Sequence, residues 1–128
     1  HQDDPYHGDY PLDPSIFRIS DDGTYSITSR YGAVYLANES MEYRGELQRG
    51  ALLFSDYAFS DDGSVIYAAT SNRKSIQIGH YPSLIRDGEI LTRGFPRFIT
   101  RDGNKIIAVS QSEESSMTVG IEIVQLDR

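Results

Sequence analysis

Phe59-Ser60-Asp61-Asp62-Gly63 runs directly into Ser64-Val65-Ile66-Tyr67-Ala68-Ala69-Thr70, and this stretch decides the fold. The Asp-Gly pair is turn chemistry, because Gly accepts positive φ and Asp bonds nearby backbone amides. The apolar run that follows is built from β-branched and small residues, as in a strand covered on both faces. The unit occurs three times. Ile19-Ser20-Asp21-Asp22-Gly23 precedes Thr24–Thr28, and Ile99-Thr100-Arg101-Asp102-Gly103 precedes Lys105–Ser110. Ile19 to Phe59 to Ile99 is a step of 40 residues. A fixed period of that size denotes stacked supersecondary units rather than one irregular globule.

Each unit divides into four short strands. In the first they are Ser15–Ser20, Thr24–Ser29, Ala33–Asn38 and Glu42–Gln48. In the second they are Asp56–Ser60, Ser64–Ser71, Ser75–Tyr81 and Ile85–Thr92. The third has Arg97–Thr100, Lys105–Ser110 and Met117–Leu126, with no fourth strand. The last strands of the first two units share their chemistry, Arg44-Gly45-Glu46-Leu47 against Asp87-Gly88-Glu89-Ile90, and each ends in a basic-glycine step, Arg49-Gly50 and Arg93-Gly94. Differences in length fall in the linkers, while the strands keep their phase. Residues 1–14, rich in proline and aspartate, form an extended lead-in, and the three units occupy about 15–50, 51–94 and 95–126. The segment around Tyr6–Leu12 is a candidate for the missing fourth strand.

The bulk composition narrows the function classes. At 128 residues the chain has the size of one domain. The net charge is −7, with 12 basic residues scattered among 19 acidic ones, so nucleic acid is not an expected partner. No apolar run approaches the ~20 residues of a membrane helix, and insertion into a membrane is not expected. The absence of cysteine removes disulfides, thiolate metal sites and thiol nucleophiles together. A sheet composition rich in Tyr, Ser, Asp and Gly points to an extracellular or periplasmic protein.

The order of strand, Ser-x-Asp-Gly turn, apolar strand, loop, alternating strand and polar outer strand resembles the blade of a β-propeller. Val65-Ile66-Tyr67-Ala68-Ala69-Thr70-Ser71-Asn72 followed by Ser75-Ile76-Gln77-Ile78 is similar to the blades of YVTN-type and TolB-type bacterial propellers, and Phe59-Ser60-Asp61-Asp62-Gly63 resembles their Phe-Ser-Pro-Asp-Gly turn. The resemblance implies an all-β fold of about three four-stranded antiparallel blades. Known propellers use 4–8 blades. Three would leave sheet faces bare, so the chain is expected to be a partial propeller or part of a larger or oligomeric ring. Its partners would be the remaining blades or domains of a parent protein, or a second copy of itself.

Candidate site residues are few. Asp21, Asp22, Asp61, Asp62 and Asp102 read as turn formers, since a calcium loop needs ligands at alternate positions. His1, Asp3, Asp4, His7 and Asp9 have metal-ligand chemistry but stand in a terminal segment with nothing to preorganise them. His80 has no nucleophile or base at motif spacing, and no G-x-S-x-G elbow is present. No metal or cofactor is expected. The loops between second and third strands, Ser29-Arg30-Tyr31, Ser71-Asn72-Arg73-Lys74 and Gln111–Ser116, share one face with the linkers between blades. Arg30, Tyr31, Asn72 and Arg73 are the candidate ligand-binding residues, for a protein or carbohydrate partner. The leading reading is a non-catalytic scaffold or binding module of an exported bacterial protein. The alternatives are part of a larger lactonase-like or peptidase-associated enzyme, and a lectin-like oligomeric ring.

Overall fold

The computed structural model describes residues 17–112 and 118–126, and within them every regular element is a strand. The first sheet orders β1 (Phe17–Ile19), β2 (Tyr25–Thr28), β3 (Ala33–Leu36) and β4 (Tyr43–Glu46) as consecutive antiparallel neighbours. The second does the same with β5 (Phe54–Phe59), β6 (Val65–Thr70), β7 (Ser75–His80) and β8 (Arg86–Leu91). The third contains β9 (Phe95–Asp102), β10 (Lys105–Gln111) and β11 (Val119–Gln125). These are the three blades expected from the repeat. The lead-in segment 1–14 and its candidate closing strand lie outside the described residues.

The serine of the repeated turn explains the motif. Ser20 Oγ accepts from the amides of Thr24 (3.1 Å) and Tyr25 (3.2 Å) and donates to Asp22 Oδ1 (2.8 Å), which also accepts from Thr24 N. Ser60 and Asp62 repeat the arrangement with Ser64 and Val65. Gly23 and Gly63 sit at φ 76°, where a side chain would be strained. Hydrogen bonds from Ser20 and Thr24 hold the Asp22 carboxyl below its usual range, and those from Ser64 and Ser60 do so for Asp62. The third unit departs from the expected turn. There β9 extends through Asp102, which pairs with Lys105, and the turn is Gly103-Asn104 alone. Ile99 therefore pairs with Ala108, whereas the second unit pairs Phe59 with Ile66. The slip is two residues, which leaves every side chain on its original face.

Two cores lie between the three sheets. Tyr25, Ile27, Val34 and Leu47 meet Tyr57, Phe59, Ile66 and Ala68 across the first seam. Tyr67, Ala69 and Ile76 meet Ile99, Ile106 and Ala108 across the second. Strand β6 thus sends Ile66 and Ala68 to one seam and Tyr67 and Ala69 to the other, which is why its run is continuously apolar. Tyrosines stitch the first seam: Tyr25 Oη donates to Gly63 O and Tyr57 Oη to Thr28 O, each at 2.7 Å. Strand β10 is covered on one face only. Ile106 and Ala108 are buried, while Ile107 and Val109 are half-buried beside the exposed Phe98, Val119, Ile121 and Ile123.

Polar contacts also join the innermost strands. Asp56 of β5 is fully buried. Its Oδ1 accepts from Arg18 Nε of β1 (2.7 Å) and from Tyr57 N (2.8 Å), and its Oδ2 accepts from Ile99 N of β9 (2.8 Å). One carboxylate therefore touches all three blades. The partnership with Asp56 raises the Arg18 pKa above its usual value. At the rim, Arg101 donates to Phe59 O (2.5 Å) and Gly103 O (2.8 Å) and pairs with Asp61 and with Asp21 (3.3 Å). Asp56→Ala removes the acceptor of two buried amides and separates an ion pair, so urea denaturation is expected to show a loss of about 3 kcal/mol. Asp61→Ala, at an exposed pair, is expected to change stability by no more than about 1 kcal/mol in the same measurement.

Candidate functional site

Strands β2 and β6 each run from an Asp-Gly turn, and β10 from the Gly103-Asn104 turn, to the opposite rim. The loops that leave them meet the linkers between blades there. The linker 47–53 is pinned on both sides. Arg30 N donates to Phe54 O (2.6 Å) and Phe54 N to Arg30 O (3.0 Å). From the second blade, Ser71 N donates to Leu53 O (2.7 Å), Leu53 N to Asn72 Oδ1 (3.0 Å), and Asn72 Nδ2 to Ala51 O (3.0 Å). Gly32 is required at this junction, because its φ is 72° and a Cβ would lie 3.1 Å from the Phe54 ring.

Of the four residues singled out by sequence, Arg30 and Tyr31 stand together on the first blade and Asn72 and Arg73 on the second. Arg30 is exposed, with its guanidinium 5.4 Å from the Tyr31 ring centre, and Arg49 approaches the same ring at 4.7 Å. Asn72 spends both ends of its amide on the linker backbone. Arg73 closes its fork on Glu89, through Nε to Oε2 and Nη2 to Oε1 (3.0 Å).

A cleft of about 750 Å³ opens between the linker and the outer strand of the second blade, lined among others by Gln48, Arg49, Arg73, Gln77, Arg86 and Glu89. Its floor is a closed hydrogen-bond chain. The buried Gln77 donates through Nε2 to Glu89 Oε2 (2.6 Å) and Ser75 Oγ (2.8 Å), and accepts at Oε1 from Arg86 Nη1 (2.6 Å). Arg86 Nε donates in turn to Gln48 O (3.1 Å). The side chains of Arg73 and Gln77 lower the Glu89 pKa to about 2. A carboxylate held that far below neutrality is a weak base and carries no proton to deliver near pH 7. Its place here is to fix the Arg73 loop to β8.

The second seam has a related arrangement. The Phe95 ring lies 5.4 Å from Lys74 Nζ and 5.9 Å from the Arg97 guanidinium. Arg97 also donates to Ser71 O (3.0 Å) and to Gln111. The amides of Arg93 and Gly94 donate to Glu122 at 2.8 and 3.0 Å. Sequence reading did not count Arg49, Lys74, Phe95 and Arg97 among the candidate site residues. The recurring Arg-Gly step at Arg49-Gly50 and Arg93-Gly94 was the signal for those on the linkers, which return to this rim. Among the described residues no group of three His, Asp or Glu gathers as a metal site.

No family model matches the chain, and no curated protein is similar to it in sequence. Solved structures share its fold. Hydrazine synthase of Kuenenia stuttgartiensis superposes with a TM-score of 0.72 at 16% identity, over 94% of this chain and 36% of that one. The Cps50 (Swd1) β-propeller domain of Myceliophteria thermophila superposes with a TM-score of 0.60 at 11% identity, over 84% of this chain and 37% of that one. The chain spans little more than a third of either neighbour, and its fold is that of a partial β-propeller.

The Glu89 network has a pH signature. Because the folded pKa lies below the usual 4.5, its stabilisation is present above that value and is lost as pH falls toward about 2. Thermal unfolding followed by circular dichroism is expected to show a drop across that window, and Glu89→Gln is expected to flatten this part of the profile.

Proposed function

We propose that this chain is an arc of a larger propeller, of the YVTN/TolB-like bacterial kind, serving as a non-catalytic scaffold and binding module in an exported protein. One observation carries the reading. The open face of the third blade repeats the face of the second blade that a neighbour already covers. By strand register, Tyr67, Ala69, Ile76 and Ile78 of the second blade correspond to Ile107, Val109, Ile121 and Ile123 of the third. The first set packs against a blade, while Ile121 is 73% exposed and Ile123 65% exposed. Burying a large apolar side chain stabilises by about 1.5–3 kcal/mol, so leaving this face in water forgoes several kcal/mol. The fitting occupant is another blade, from the parent protein or from a second copy of the chain.

Support for a binding role is chemical. At the linker cleft, Arg73, Glu89, Gln77 and Arg86 are held in ion pairs and hydrogen bonds rather than poised for proton transfer. The fold itself hosts many activities and decides nothing alone. Export is supported by the Tyr-, Ser-, Asp- and Gly-rich sheet composition.

Sedimentation and binding of an apolar fluorescent dye test the arc. The isolated chain is expected to associate with rising concentration and to bind the dye, and Ile121→Lys with Ile123→Lys to abolish both while the circular dichroism spectrum is retained. A chain that stays monomeric and dye-free would overturn the reading.

A further inference from the structure

We infer that Asp102-Gly103 is a modification site, at which the chain isomerises spontaneously to isoaspartate. Asp-Gly is the dipeptide most open to this reaction, because glycine places no side chain beside the amide nitrogen that must attack. The sequence holds four such pairs, Asp22-Gly23, Asp62-Gly63, Asp87-Gly88 and Asp102-Gly103. The reaction needs an aspartate carboxyl as electrophile and the amide of the next residue as nucleophile, both free to meet. Only the last pair leaves both groups unengaged among the described residues.

At the first two turns the amide and the carboxylate are both taken. Gly23 N donates to Ser20 O and Gly63 N to Ser60 O, each at 2.9 Å. Asp22 Oδ1 accepts from Ser20 Oγ (2.8 Å) and Thr24 N (3.1 Å), and Asp62 Oδ1 from Ser60 Oγ (2.9 Å), Ser64 N (3.0 Å) and Ser64 Oγ (2.7 Å). These bonds favour the ionised carboxylate, whereas ring closure consumes the protonated acid. Asp87-Gly88 lies within β8, and its carboxylate stands 2.8 Å from His80 Nε2. At the third turn the slipped register takes Thr100, the counterpart of Ser20 and Ser60, into the ladder opposite Ile107. Asp102 ends β9 opposite Lys105, and Gly103 opens the two-residue turn. Asp102, Gly103 and Asn104 are all exposed, at a loop tip where local opening costs least.

The step needs no oxidant or cofactor. Gly103 N loses its proton and bonds to Asp102 Cγ, and one carboxyl oxygen leaves as water, which gives a cyclic imide. Water then adds to either ring carbonyl. Addition at Cγ breaks the new bond and restores aspartate. Addition at the Asp102 main-chain carbonyl breaks its bond to Gly103 N instead. The chain then runs through Cβ and Cγ, and the former main-chain carbonyl becomes a free carboxylate. Mass is unchanged, and the main chain is longer by one methylene. The bonds from Arg101 Nη1 to Gly103 O (2.8 Å) and from Leu126 N to Asn104 O (2.7 Å) frame the turn that this lengthening distorts.

Peptide mapping of the full chain, held for several weeks at neutral pH and body temperature, tests the inference. Mass spectrometry with electron-transfer fragmentation distinguishes isoaspartate from aspartate at each pair. In the folded chain Asp102 is expected to isomerise about tenfold faster than Asp22, Asp62 or Asp87, the factor that one hydrogen bond to a charged group supplies. A sample held in urea loses the folded contacts, and there the four pairs are expected to react at similar rates. Equal gain at all of them in the folded chain, or a lead at Asp22, Asp62 or Asp87, would refute the inference. So would a folded chain that stays unmodified at Asp102 while its urea sample reacts there. The measurement is independent of what covers the third blade, so its outcome leaves the reading of the chain as an arc untouched.

Discussion

The fold depends on a carboxylate with no access to water. Asp56 lies on the innermost strand of the middle blade, and its two oxygens take hydrogen bonds from a side chain of the first blade and a backbone amide of the third. Removing an ionised carboxylate from solvent is costly unless donors replace the lost water. Here the donors come from both neighbours, so the cost is met only when three separate sheets stand in register. The adjacent Ser55 reinforces the link by donating to Pro96 O at 2.6 Å. Apolar burial holds each seam, while Asp56 couples one seam to the other. A stack of sheets that otherwise touch only their nearest neighbours thereby gains a contact common to all three.

From that axis outward, the two rims differ in kind. At one, short Ser-x-Asp-Gly turns fold their carboxylates back onto their own backbone. At the other, the linkers between blades are threaded between loops and pinned by main-chain bonds at Arg30 and by the Asn72 amide. Asp22 and Asp62 are therefore satisfied within their own turns, whereas the linker rim is built from long-range contacts. The tight packing of the linkers is visible at Gly94, where a Cβ would come within 2.6 Å of Gln111 O.

Much of the architecture was legible because it follows from period and pattern. The 40-residue step, the Asp-Gly turns and the apolar runs place ten strand segments close to their observed bounds, and the two-sided burial of β6 could be read from Val65–Thr70 directly. The third turn could not. Arg101-Asp102-Gly103 has the repeat's spacing, yet the preceding strand runs on to Asp102, because Gly103-Asn104 alone suffices to reverse the chain. The linker rim was legible only in outline. Chain order brings Arg30, Tyr31, Asn72 and Arg73 to the right end, but it cannot tell that Asn72 and Arg73 are engaged internally. Those partners, Leu53 and Glu89, are distant in sequence and meet them only through tertiary packing. Asp56 was read as the start of a strand, for the same reason.

Arg101 stands at the repeat position held by Asp21 and Asp61, and its guanidinium lies between their two turns. The three units are therefore not interchangeable, however alike their strands. An array concatenated from copies of the second unit would bring like charges together where this chain has attraction. The order of the blades is thus written into the sign of one side chain, and any shuffled or duplicated descendant would have to restore that alternation.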